Sequence, residues 1–115
     1  MRRRIHRQTT IFELIQIMLD LMNGYRALYD NDIIHQDIKT ANIMIRNRVL
    51  KIGDFGLAQR KKYLNHSKVA GTFSYIPPER LRYPPAPITH LVDIYGLGIV
   101  LYEVMFGCHP MSGFA

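Results

Sequence analysis

Two short runs hold the residue types that chemistry on phosphate calls for. They are His35-Gln36-Asp37-Ile38-Lys39-Thr40-Ala41-Asn42 and, twelve residues after that Asn, Asp54-Phe55-Gly56. A metal-bound triphosphate meeting an attacking hydroxyl needs little covalent help from a protein; it needs positioning and neutralised charge. Asp37 could orient the hydroxyl, Lys39 could face the phosphoryl group, and Asn42 with Asp54 could offer oxygen donors to Mg²⁺. No glycine-rich phosphate loop precedes these residues.

Short elements have to position these side chains. Ile11, Leu14, Ile15, Met18, Leu21, Met22, Tyr25 and Leu28 recur three or four residues apart, which predicts a helix with a broad apolar stripe facing a core. Thr10, with Glu13 three positions on, fits a capping box opening that helix, and Asp30-Asn31-Asp32 fits its end. Ile33-Ile34 reads as a very short strand leading into His35. Ile43-Met44-Ile45 and Val49-Leu50-Lys51-Ile52, separated by Arg46-Asn47-Arg48, predict a hairpin. Such a hairpin sets the start of one strand beside the end of the other, and so Asn42 and Asp54 at one edge. Periodicity is weak from Gly56 to Arg82, and a loop that long is uncommon in a small domain. Tyr83-Pro84-Pro85-Ala86-Pro87 cannot be helix interior. A second helix is expected over about 89–106, with Gly107 at its C-terminal cap.

Composition bounds the answer further. At 115 residues and 48% apolar, the chain is one small domain with enough apolar residues for a core. The net charge of +6 gathers at Arg2, Arg3, Arg4 and Arg7 and again at Arg60, Lys61 and Lys62. Without aromatic residues interleaved among them, these clusters read as solvated surface, which argues against nucleic acid as a partner. Cys108 is the single cysteine, which favours a reducing, intracellular and cytoplasmic setting. The most apolar run, Ile94 to Met105, contains Glu103 and is shorter than the roughly 20 residues a bilayer span needs, so no membrane partner is expected.

Taken together, the motifs resemble the catalytic domain of eukaryotic protein kinases of the Ser/Thr type, in particular part of its C-terminal lobe. His35 to Asn42 resembles the catalytic loop His-Arg-Asp-x-Lys-x-x-Asn, and Asp54-Phe55-Gly56 the metal-binding Asp-Phe-Gly. Gly71-Thr72, with Tyr75 and Pro77-Pro78-Glu79, resembles the end of an activation segment, and Asp93-Ile94-Tyr95-Gly96-Leu97-Gly98 the start of the long buried helix. The resemblance implies an α+β, mostly helical C-lobe fragment with small β-hairpins beside the catalytic loop. It divides the chain into a basic segment at 1–10, a partial lobe at 11–110 and a tail at 111–115. Within the lobe it sets the catalytic loop at 35–42, the activation segment at 54–79 and the buried helix at about 89–106.

By the same resemblance Asp37 and Lys39 are the catalytic pair. Lys39, Asn42, Met44 and Asp54 are the ATP-binding residues, and Asn42 and Asp54 hold Mg²⁺. Met44 reads equally as a floor for adenine or as a core residue. Thr72 is expected to touch Asp37 and Lys39. The implied partners are nucleotide and a protein substrate with a Ser or Thr acceptor. His35 is expected to be a packed core histidine beside Phe55, which reads as a core residue with a gating role. Asp93 is expected to bind amides of the catalytic loop, and Glu79 to pair with an Arg later in a complete lobe. Gln36 departs from the usual Arg, and a neutral amide cannot make that Arg's charge-assisted grip on a phosphorylated loop residue. The implied activation segment is therefore expected to be constitutively arranged or otherwise regulated, without dependence on phosphorylation at Ser67, its nearest hydroxyl. With no strand Lys or glycine-rich loop in the chain, ATP affinity of the isolated chain is expected to be no better than about millimolar. A pseudokinase-like interaction module is the alternative reading.

Overall fold

A computed structural model describes residues 10–112. The arginine-rich stretch through Arg7 and the last residues of the expected 111–115 tail lie outside the described residues.

Helix α1 spans Ile11–Asp30 and opens on the expected capping box. The Thr10 hydroxyl accepts the Glu13 amide and the Glu13 carboxylate accepts the Thr10 amide, each at 3.1 Å. Two groups that a helix start leaves unpaired are thereby satisfied. Asn31 closes the helix, its amide returning to the Leu28 carbonyl. The apolar stripe is buried only in part. Leu21, Tyr25 and Leu28 are core, whereas Ile11, Ile15, Met18 and Met22 stay exposed. Burial on α1 begins only at Asp20, which leaves Ile11, Ile15 and Met18 uncovered.

Strand β1 (Ile33–Ile34) pairs antiparallel with β4 (Gln59–Arg60), setting Ile33 against Arg60 and Ile34 against Gln59. Between them β2 (Ile43–Arg46) and β3 (Val49–Ile52) form the expected hairpin, with Ile43 opposite Ile52 and Arg46 opposite Val49. Its turn places Asn47 and Arg48 at φ 52° and 64°, the left-handed backbone that tight two-residue hairpins require. The hairpin is tied to α1 by Asp20, whose Oδ2 accepts the Leu50 amide at 3.0 Å while Oδ1 accepts Gln16 Nε2 at 2.8 Å.

The stretch from Gly56 to Arg82 contains β4, two single turns of 3₁₀ helix and the short helix α2 (Pro78–Leu81). Helix α3 runs Leu91–Phe106 and ends on Gly107 at φ 77°, as expected for its cap. It starts later than the expected residue 89 because Thr89 turns the chain into it, its hydroxyl accepting the Leu91 amide at 3.1 Å. Leu97 and Val100 of α3 meet Leu21 and Tyr25 of α1 around Ile38, and this cluster is the core. Among the described residues no helix is long and apolar enough to cross a membrane.

Candidate active site

The site grows out of the core. Ile38 is buried between α1 and α3, and successive side chains of an extended segment point to opposite sides. Burying Ile38 therefore turns its neighbours Asp37 and Lys39 outward together. Gly96 allows the approach, because a Cβ there would lie 2.7 Å from the Ile38 carbonyl oxygen.

The loop is held by buried polar contacts. Asp93 is 1% exposed, and its carboxylate accepts the amides of His35 at 2.7 Å and Gln36 at 3.0 Å. Burial pushes the Asp93 carboxyl above its usual range, and these two amides oppose that rise by favouring the charged form. His35 is fully buried. Its Nδ1 accepts the Asp37 amide at 3.1 Å, which leaves the ring proton on Nε2 to be donated to the Gly53 carbonyl at 2.8 Å. The ring also meets Phe55 edge-on, centroids 5.1 Å apart. Phe55 itself is 54% exposed, so the expectation of a core residue is corrected: one face packs on His35 and the rest faces outward.

Four polar side chains converge in front of this support. Lys39 Nζ donates to Thr72 Oγ1 at 2.7 Å, and the Thr72 hydroxyl donates onward to Asp37 Oδ1 at 2.8 Å. Asn42 Nδ2 donates to the Asp37 carbonyl at 2.8 Å and to its Oδ2 at 3.3 Å. Both partners of that amide are acceptors, so its nitrogen must face Asp37 and its oxygen points elsewhere. Asp54 follows directly on Gly53, whose amide donates to the Asn42 carbonyl at 2.7 Å. Its backbone is left-handed, φ 52°, and Oδ1 takes the Gly56 amide at 3.2 Å. Asp37, Lys39 and Asn42 thus share one network, while Asp54 stands beside it at the hairpin edge. Met44 is 56% exposed, which excludes the core reading; its methyl group lies over the Gly53 backbone. Among the described residues no group of three or more His, Cys, Asp or Glu side chains forms a metal cluster.

Beyond these residues the structure adds a second polar centre. Glu103 Oε1 accepts Thr40 Oγ1 at 2.7 Å and also the Tyr75 hydroxyl. Burial, together with that bond, pushes the Tyr75 hydroxyl up to about 12. The signal available in the sequence was Glu103, the one charged residue in the apolar run Ile94 to Met105. Glu79, by contrast, is exposed and without an ion pair among the described residues.

Comparison with known proteins bears on what this arrangement does. Residues 2–114 match the protein kinase domain family. Serine/threonine-protein kinase STY46 of Arabidopsis thaliana is 33% identical over 111 residues, which are 92% of this chain and 19% of that protein. The probable serine/threonine-protein kinase PknB of Corynebacterium glutamicum is 37% identical over 110 residues, 90% of this chain and 17% of that protein. Serine/threonine-protein kinase polo of Drosophila melanogaster is 37% identical over 106 residues, 90% of this chain and 18% of that protein. The chain therefore spans less than a fifth of the length of these curated relatives.

Proposed function

The chain belongs to the protein kinase domain family and is related to serine/threonine kinases, and we propose that it carries the catalytic part of the C-terminal lobe of such an enzyme. The reaction is transfer of the ATP γ-phosphate to a Ser or Thr hydroxyl of a protein substrate. The observation that supports this most directly is the path from Lys39 through Thr72 to Asp37. An ammonium group and a carboxylate are held a single hydroxyl apart, with opposite charges facing the same space.

In this reading Asp37 orients the acceptor hydroxyl and takes its proton, while Lys39 meets the charge that develops on the transferred group. Bound Mg²⁺ would neutralise phosphate oxygens. The donors at hand fit it, since Asn42 Oδ1 and the Asp54 carboxylate are hard oxygen ligands and a Mg²⁺ ion of this kind takes few from the protein. By the resemblance, Met44, whose methyl group lies against Gly53, is the residue that would meet the adenine.

The test is phosphoryl transfer to a Ser/Thr peptide by the full-length protein that carries this chain. Asp37→Asn should lower kcat about 10²–10⁴-fold with the fold unchanged. Wild-type protein that transfers no phosphate under any Mg²⁺ concentration would overturn the reading and favour the interaction module.

A further inference from the structure

Arg80 is 3% exposed, yet no carboxylate pairs with it among the described residues. A buried guanidinium is costly unless its donors are met, and here backbone carbonyls meet them. Nη1 donates to the His66 carbonyl at 2.8 Å and also to the Ala86 carbonyl, and Nη2 donates to the Lys68 carbonyl at 2.9 Å. The cation itself stands on α2, its amide returning to the Pro77 carbonyl at 2.9 Å. A second bond closes the same junction, from the Ile88 amide to His66 Nδ1 at 3.0 Å. Arg80 thus gathers two stretches that have little regular structure of their own, 64–72 and 82–88.

Past Lys68 the chain leads straight to the proposed catalytic network. Gly71, at φ 106°, crosses the Gln36 backbone so closely that a Cβ there would lie 2.5 Å from the Gln36 carbonyl oxygen. The next residue is Thr72, bonded to Lys39 and Asp37. On the other side Gln36 uses its amide on a neutral acceptor, Nε2 donating to the Leu57 carbonyl at 2.9 Å. Ser67, between the two carbonyls that Arg80 holds on this stretch, is exposed. These ties are bonds of the Arg80 guanidinium, the Gln36 amide and backbone carbonyls, and none of them uses the Ser67 hydroxyl.

We propose that Arg80 is the positioning residue of this segment: its buried fork on the carbonyls of His66, Lys68 and Ala86 keeps Thr72 seated on Asp37 and Lys39 with no phosphate at Ser67. The proposal rests on the kinase reading for its consequence in catalysis, but its structural half stands apart from it.

Hydrogen exchange and kinetics on the full-length protein test both halves, using Arg80→Lys, Arg80→Gln and Ser67→Ala. A lysine keeps the charge but not the planar fork, so neither Arg80 variant can serve the three carbonyls together. Both should raise amide exchange over 64–72 and 86–88 by at least about ten-fold while α1 and α3 keep their protection. The kcat for peptide phosphorylation should fall by a similar factor with KM for nucleotide unchanged, and Ser67→Ala should match wild type in every readout. Unchanged exchange over 64–72 would overturn the proposal, as would a loss of protection spread equally over α1 and α3 in both variants, or a Ser67→Ala defect equal to that of Arg80→Gln. Faster exchange confined to the segment in a protein that shows no transfer at all would uphold the anchor and remove the kinase reading.

Discussion

The Asp93 carboxylate accepts the His35 backbone amide at 2.7 Å, joining the first turn of α3 to a loop 58 residues earlier in the chain. A second oxygen of the same carboxylate serves Gln36. The loop that carries Asp37 and Lys39 therefore takes its position from a buried side chain that points away from any substrate. Asp93→Asn would set an amide NH₂ against a backbone N–H and leave a buried donor unmet. The expected cost is about 1–3 kcal/mol in urea denaturation, with faster exchange of the His35 and Gln36 amides.

Thr72 should matter through its hydroxyl alone. Thr72→Ala removes the atom that joins Lys39 to Asp37, and kcat for peptide phosphorylation should fall about 10–100-fold, the equivalent of one or two charge-assisted bonds. Thr72→Ser keeps that oxygen and should recover most of the rate. Steady-state kinetics on the two variants side by side is the measurement.

Two glycines of α3 should respond in opposite ways. A Cβ at Gly96 would lie 2.7 Å from the Ile38 carbonyl oxygen, whereas among the described residues nothing lies within 4 Å of one at Gly98. Gly96→Ala should push α3 off the catalytic loop and cost about 1–3 kcal/mol. Gly98→Ala should be neutral or stabilise by up to about 1 kcal/mol through helix propensity. Thermal unfolding of both reads the difference.

Stability should fall in mild acid, and His90 is the reason. The ring is 7% exposed, both nitrogens lack a hydrogen-bond partner among the described residues, and the rings of Tyr25 and Tyr29 pack on it. Burial holds it below the usual 6.5, Lys61 adds to that, and Asp93 and Asp32 oppose it. The unfolded chain therefore binds the proton first, so stability present above pH 6.5 is lost as pH falls through the lower folded value. Asp93, held above 3.8, has the opposite sign and favours the folded state at still lower pH. His90→Phe keeps an aromatic ring, removes the two unmet nitrogens and should flatten the slope below pH 6.5 in urea titrations at stepped pH, with a gain of about 1 kcal/mol at low pH.

Local signals in the chain were read correctly where neighbours in sequence supply the physics. The Thr10–Glu13 box, the 43–52 hairpin and the Gly107 cap each depend on contacts a few residues long. The helix stripe over 11–28 was over-read because period alone shows which face is apolar and not how far the partner elements extend along it. Phe55 departs from expectation for the same reason, and the exposure of Met44 removes one of its two readings: burial is a property of what lies opposite.

Sequence by itself determined the residue types of the site, their spacing and the local elements that carry them. The family resemblance led to the expectation that Asp93 holds the loop and that Thr72 touches Lys39 and Asp37, and the structure has those bonds. Tertiary structure alone decided that β1 pairs with β4, and that Arg80, Tyr75, Glu103 and Asp20 are joined to partners up to 63 residues away. Those bonds form between groups that hydrophobic packing of α1, α3 and Ile38 brings together. No periodicity in the chain encodes which polar groups such packing will leave facing one another.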